Sequence, residues 1–197
     1  MKIQDNKLNT FALIRELKSP ANMVFACALM QRMLPNYQLF ARTTNFGDEH
    51  TAQSILNLVW EWCMSPKNKF NSEVQLEKLE EIIPDVDNFD VFAVYPALDF
   101  CMALSSVIMS FSNQGEHSAV TVAKLSQGSV EAYILASADK ELENSEIKQD
   151  PLMQYEIDTQ VSLLTYCQEN KITKEMVKEL RADLMATKMS NLGIEIE

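Results

Sequence analysis

Glycine occurs only four times among the 197 residues of this chain, against an ordinary usage of about 7%. Little of the backbone therefore has easy access to positive φ, which tight hairpins, phosphate-cradling loops and strained catalytic turns need. The six prolines stand almost entirely where a helix could begin or stop. This punctuation cuts the chain into helix-length pieces and predicts an all-α fold.

The pieces differ in how they distribute apolar residues. Residues 6–18 carry Leu8, Phe11, Ile14 and Leu17 at helical spacing. Ser19-Pro20 then marks a fresh start, because serine satisfies free N–H groups and proline is preset for the first turn. From Pro20 to about Leu34, the residues Met23, Val24, Phe25, Cys27, Leu29, Met30 and Met33 leave the helix without a polar face. Such a helix is predicted to lie in the middle of the molecule. Pro35 is expected to end or kink it, with helix resuming over residues 36–43.

Asp48 opens the next helix, whose predicted buried stripe is Ile55, Leu58, Val59, Trp62 and Cys63, and Ser65-Pro66 stops it. Ser72 with Gln75 reads as a capping box for a helix that is acidic outside and ends at Pro84. The stretch DVDNFD reads as a loop. Residues 91–112 form a second helix that is apolar all round, through Leu98, Cys101, Met102, Leu104, Val107, Ile108 and Phe111. Helices over 117–138, 151–168 and 173–190 follow, with DKELENSEIKQ as a charged loop and Asn191 to Gly193 as a C-terminal stop. The tail GIEIE is expected to fray. About eight helices result. Two of them buried on all sides exceed what a simple four-helix bundle can hold, so the expectation is a single-domain layered helical array whose central layer holds 20–34 and 96–112.

A chain of this length suits one domain and can bury roughly 70% of its unfolded surface without disulfides or metal. Cys27, Cys63, Cys101 and Cys167 are widely separated, with no C-x-x-C pair and no histidine at ligand spacing. They read as small buried hydrophobes in a reducing compartment. The N-terminus has no apolar core of signal-peptide length, and the longest apolar run, Met23 to Met30, falls short of the ~20 residues that span a bilayer. A cytoplasmic protein is the expectation. The net charge of −11 opposes phosphate neutralisation and argues against nucleic acid or an anionic membrane as partner.

The charge is unevenly spread. Residues 1–47 hold six basic groups against two acidic ones, whereas residues 73–99 hold eight acids against Lys78 alone. These segments either face each other, face solvent, or form an acidic docking surface.

Several strings occur together in order: QRMLPNY (31–37), FGD (46–48), LVWE (58–61), LEKLEEIIP (76–84) and VYPALD (94–99). In this combination the chain resembles the YjaG-like family of bacterial proteins, a family of unknown function, over nearly its whole length. The resemblance implies an all-helical, cytoplasmic bacterial protein of about this size. It implies no activity, cofactor or catalytic residue.

Chemistry has few places to sit. Glu61 and Asp99 are carboxylates inside apolar helical stretches. Di-iron proteins hold metal with carboxylates on facing helices, but they use Glu-x-x-His pairs, which His50 and His117 do not complete. Each acid is better read as paired with a cation from another helix, with Arg32 the obvious donor and Asp99 its expected partner. Tyr37, Trp60, Trp62 and Tyr95 form an aromatic set in which Trp60 and Trp62 cannot share a helix face. With Trp62 in the core, Trp60 points to another layer or to a surface contact such as a two-fold interface. No catalytic triad assembles from recognisable parts, and neither G-x-G-x-x-G nor G-K-[ST] occurs. No cofactor or metal is called for. The sequence therefore offers two functions: a non-enzymatic module that binds itself or an unknown protein partner, or a small-ligand binder or enzyme with a polar pocket around Arg32, Glu61 and Asp99.

Overall fold

From Met23 to Leu34 every side chain is buried, and a helix sealed over three consecutive turns can only lie at the centre of its fold. In this computed structural model, residues 3–112 and 117–195 are described. The central helix, α2, runs from Ala21 to Thr44 and follows α1 (Ile3–Glu16). Pro35 does not end it: the ring withholds one N–H from the ladder, yet the helix carries on for nine further residues. Next come α3 (Glu49–Met64), α4 (Ser72–Glu80) and a single 3-10 turn over Val86–Asn88. The second half holds α5 (Val94–Ser110), α6 (Ser118–Ser137), α7 (Asn144–Gln149), α8 (Pro151–Glu169) and α9 (Lys174–Thr187). Among the described residues the only β-type pairing is one isolated bridge, Met189 to Glu195.

The predicted all-α layered fold is therefore what forms. α2, α5 and α6 pack on one another as a central layer. α3 and α9 pack on α2 and on each other, α8 packs on α2 and α6, and α1 lies across α6 and α8. One large core joins these elements, with a smaller cluster of Val130, Ile134, Ile147, Met153 and Leu192 beneath α7 and the C-terminal turn. All four cysteines are free and buried, and Cys27 Sγ lies 3.8 Å from Cys63 Sγ across α2 and α3.

Helix starts follow capping chemistry, with two departures from expectation. Asp48 caps α3 by accepting from the His50 N–H at 2.8 Å, and Asp150 caps α8 by accepting from the Leu152 N–H at 2.8 Å. At α4 the cap is Asn71, which accepts from the Val74 N–H, and Gln75 turns into the core rather than back to Ser72. The stretch read as a charged loop contains α7, because Glu143 and Glu146 complete a reciprocal capping box there. α9 stops at Lys188, whose φ of 49° breaks the ladder before Asn191. Residues 193–195 of the expected frayed tail fold back instead: the Ser190 N–H donates to the Ile194 carbonyl at 2.8 Å.

Two apolar faces are rotated from where periodicity placed them. In α3 the buried residues are Ala52, Ile55, Leu56, Val59, Trp60 and Cys63, while Leu58 is exposed and Trp62 half-buried. α5 is not sealed all round. Phe100, Cys101, Leu104, Val107 and Ile108 face inward, but Tyr95 is 52% and Met102 46% exposed, with Leu98 half-buried between them. Uniform hydrophobicity hides the phase of a helix, so an outward apolar face looks like core. Urea denaturation should separate the two environments: Leu29→Ala is expected to cost about 2–5 kcal/mol, and Met102→Ala less than about 0.5 kcal/mol. Equal losses would mean that the outer face of α5 is covered.

Candidate functional site

A guanidinium placed on a fully buried stretch of helix must find acceptors inside the protein. Arg32 sits on the sealed part of α2, and its Nη1 donates to Glu156 Oε2 of α8 at 2.5 Å. Glu156 has no exposed surface. Its other oxygen accepts from the Ser126 hydroxyl at 2.6 Å and from Gln160 Nε2 at 2.8 Å. Gln160 also accepts from Gln127 Nε2 at 2.8 Å. Asn191, from the turn after α9, reaches the same cluster: its Nδ2 donates to the Ser126 carbonyl and hydroxyl at 3.1 Å, and its Oδ1 accepts from Asn36 Nδ2 at 2.8 Å. The Asn191 N–H donates to the Arg32 carbonyl at 3.0 Å. α2, α6, α8 and the C-terminal turn thus meet at one buried polar centre.

The carboxylate at that centre has three donors and no open side. It locks helices together. The Arg32 guanidinium passes 5.7 Å from the ring centroid of Tyr155, an exposed residue that covers it from outside.

Asp99 is not the partner of Arg32. It is half-buried at the seam of α5 and α6, where its Oδ2 accepts from the Ser129 hydroxyl at 2.6 Å. Glu61 lies exposed on α3. No hydrogen bond or ion pair among the described residues joins any two of Arg32, Glu61 and Asp99. Trp60, read as facing another layer or a surface contact, takes the first course: it is fully buried, and its indole N–H donates to Gln31 Oε1 at 3.1 Å. Tyr37 is also fully buried. Its hydroxyl donates to the Ile82 carbonyl at 3.0 Å, and its ring centroid lies 5.7 Å from that of Phe100. Burial pushes the Tyr37 hydroxyl well above its ordinary range. Gly47 is required beneath that ring, since its φ is +75° and a Cβ there would collide with the Tyr37 hydroxyl.

The sequence carried one signal for the true partner of Arg32. Met153, Glu156, Gln160, Leu163, Leu164 and Cys167 share one face of α8, so Glu156 stands among residues that must be buried. Asn191 gave no such signal, because a turn asparagine ordinarily serves as a stop.

Two open clefts formed by the described residues lie on the surface. One, of about 520 Å³, lies where α1 turns into α2 and is flanked by Lys18, Lys171 and Cys167. Burial holds the Cys167 thiol up at about 12. The other, of about 440 Å³, lies at the first turn of α6 against Trp62, Phe70 and Phe111. Phe70 and Phe111 stack with centroids 4.0 Å apart, and Trp62 meets Phe111 edge-on at 5.0 Å. Among the described residues no cluster of three or more His, Cys, Asp or Glu side chains is placed to hold a metal ion. No helix of the described residues is long and apolar enough to cross a membrane.

The polar centre and the Asp99 seam should respond oppositely to mutation. Arg32→Ala strands a buried carboxylate and should cost about 3–5 kcal/mol in thermal or urea unfolding at neutral pH. Burial raises the Asp99 carboxyl above its ordinary range, offset only in part by the Ser129 hydroxyl. The folded state then binds the Asp99 proton more tightly than the unfolded chain, so this group lowers stability as pH rises through the carboxylate range. Asp99→Asn should match or exceed wild-type stability at neutral pH and lose less between about pH 4 and pH 7. A large loss at neutral pH would show that Asp99 has a cationic partner after all.

The family model described as "Protein of unknown function (DUF416)" matches residues 9–195. The uncharacterized protein YjaG of Escherichia coli K12 is 40% identical over 92% of this chain and 93% of its own length. An uncharacterized protein of Haemophilus influenzae is 35% identical over 92% of this chain and 94% of its own. The crystal structure of a DUF416 family protein from Shewanella baltica superposes with a TM-score of 0.89 at 39% identity, covering 94% of this chain and 98% of that one. With fold and sequence matched along nearly the whole length, the chain belongs to the DUF416 family and is similar to the YjaG proteins.

Proposed function

We propose that this protein is a non-enzymatic interaction module that docks a protein partner on the outward face of α5, in a cytoplasmic setting consistent with its four free thiols. One observation carries the reading: an apolar stripe that the fold leaves uncovered. Tyr95 and Met102 stand on this face with Leu98 between them, and Val91 lies exposed just before the helix. Phe92 braces the stripe, its ring 6.1 Å from Tyr95 and 6.0 Å from Tyr133 of α6. Aromatic and methionine side chains are the types enriched in interface centres.

The rim of the stripe indicates the partner's chemistry. Asp85, Asp87 and Asp90, on the segment leading into α5, are exposed and make no ion pair among the described residues. A partner with apolar residues flanked by lysine or arginine complements this surface. A two-fold dimer through the same patch would gather both copies of these aspartates at one interface, because an isologous contact repeats the same surface on both sides. Buried Trp60 offers no second route to self-association. A basic partner is therefore favoured over a second copy.

A photo-crosslinking residue at position 102, with position 161 on α8 as control, should trap a discrete protein from the first site alone. Purified, that protein should bind the wild-type chain in a salt-sensitive way and lose about tenfold or more in affinity to a Tyr95→Ser/Met102→Ser variant. Equal trapping at both positions, or affinity unmoved by the double variant, would sink the reading. Light scattering of the chain alone at micromolar concentration should return the monomer mass of 22.4 kDa. A dimer abolished by the same variant would make the partner a second copy.

A further inference from the structure

The cleft at the start of α6 combines hydrogen-bond donors that have no acceptor among the described residues with an aromatic wall. The first N–H groups of any helix lack an intrahelical carbonyl. Here they also lack a side-chain cap: His117, the residue before the helix, has a left-handed backbone with φ of 63° and makes no capping bond. Ser118, the first helical residue, is only 3% exposed and lines the cleft, and its hydroxyl has no partner among the described residues. A hydroxyl this buried is ordinarily hydrogen-bonded.

Two amides at the opening offer donors as well, whereas the Ser110 hydroxyl is already spent on the Val107 carbonyl at 2.7 Å. Asn22 Oδ1 already accepts from the Met23 N–H at 2.8 Å, which leaves its Nδ2 as the free end. Asn68 Oδ1 accepts from the Ser65 hydroxyl at 3.4 Å, which likewise frees its Nδ2. Among the described residues no aspartate or glutamate lines the cleft, in a chain that carries 28 of them. A site with unpaired N–H and O–H donors, a helix N-terminus and no carboxylate favours an anion. The stacked Phe70 and Phe111, with Trp62 edge-on, form an apolar wall beside it, and the volume lies within the usual range for small-molecule sites.

We propose that this cleft binds a small carboxylate carried on an aromatic body, with the anion at the Ser118 end of α6 and the ring against Phe111 and Trp62. The inference is independent of the docking face. Tyr95 and Met102 lie on the first half of α5, while the cleft meets only its C-terminal end at Ser110 and Phe111.

The probes are 3-phenylpropanoate and its neutral amide, added to the 15N-labelled chain at up to about 10 mM. The carboxylate should shift the Ser118 and Ala119 amides and the Trp62 indole N–H, with the buried Trp60 indole as internal control. It should bind about tenfold or more tightly than the amide. Asn22→Asp/Asn68→Asp, which puts two negative charges at the opening, should remove that preference while leaving the helical spectrum unchanged. If the double variant unfolds, Asn68→Asp alone, at an exposed position, should still reduce it. Equal binding of acid and amide, shifts centred elsewhere, or no shift at the highest concentration would overturn the proposal.

Discussion

The ion pair of Arg32 and Glu156 fixes how the helices of this protein can be arranged. An arginine is never discharged in a protein, and Arg32 lies on the one helix that is sealed over several turns. Any packing that buried α2 without delivering a carboxylate to that point would strand a charge. α8 must therefore present Glu156 to α2, and α6 must present Ser126 to the second carboxylate oxygen. The C-terminal turn must then bring Asn191 to the space left between Ser126 and Asn36. Such a network adds little net stability over a well-packed apolar core. Its contribution is to penalise alternatives, since a helix slipped by one turn would leave several buried groups unpaired at once.

That requirement explains which parts of the fold were legible from sequence. A charge on an all-apolar helix announces that a partner exists, and the need of Arg32 for a buried carboxylate could be read directly. The partner's identity could not, because Asp99, Glu61 and Glu156 all occupy helical stretches and only spatial neighbours decide among them. The phase of α8 favours Glu156, but phase is informative only where polar residues mark the outer face. Helix starts were readable for the same local reason: Asp48 and Asp150-Pro151 satisfy N–H groups within a few residues of themselves. The C-terminal turn was not. Its bonds run from Asn191 to residues 65 and 155 positions away.

The misread helices share a further property. Periodicity assigned Leu58 and Trp62 to the core side of α3 and treated Leu98 and Met102 as core in α5, yet each of these stands wholly or partly at the surface. An apolar residue on an outward face contradicts the binary pattern that otherwise specifies these helices. Proteins depart from such local rules mainly where a surface has a use other than folding. Trp62 forms the wall of the cleft at α6, and Met102 with Tyr95 forms the uncovered stripe on α5. Three of the four residues that mislead a reading of the fold, Trp62, Leu98 and Met102, belong to the surfaces on which the functional proposals rest.

Charge reinforces the distinction between these two surfaces. On the proposed reading, the exposed aspartates before α5 form a negative rim that would steer a basic surface toward the stripe and disfavour another copy of the chain. The cleft at α6 lies in the same strongly acidic molecule, yet its polar described residues are amides, hydroxyls and a histidine, without a carboxylate among them. For an anion to settle there, local donors must outweigh the long-range repulsion of the whole chain. Screening makes that feasible: at physiological salt, exposed charges beyond about 8 Å are largely damped, whereas N–H and O–H donors act at contact distance. The two sites therefore select on different length scales, the α5 face through its extended field and the cleft through short-range hydrogen bonds. One acidic molecule can in this way attract a cationic partner on one face and an anionic ligand at another.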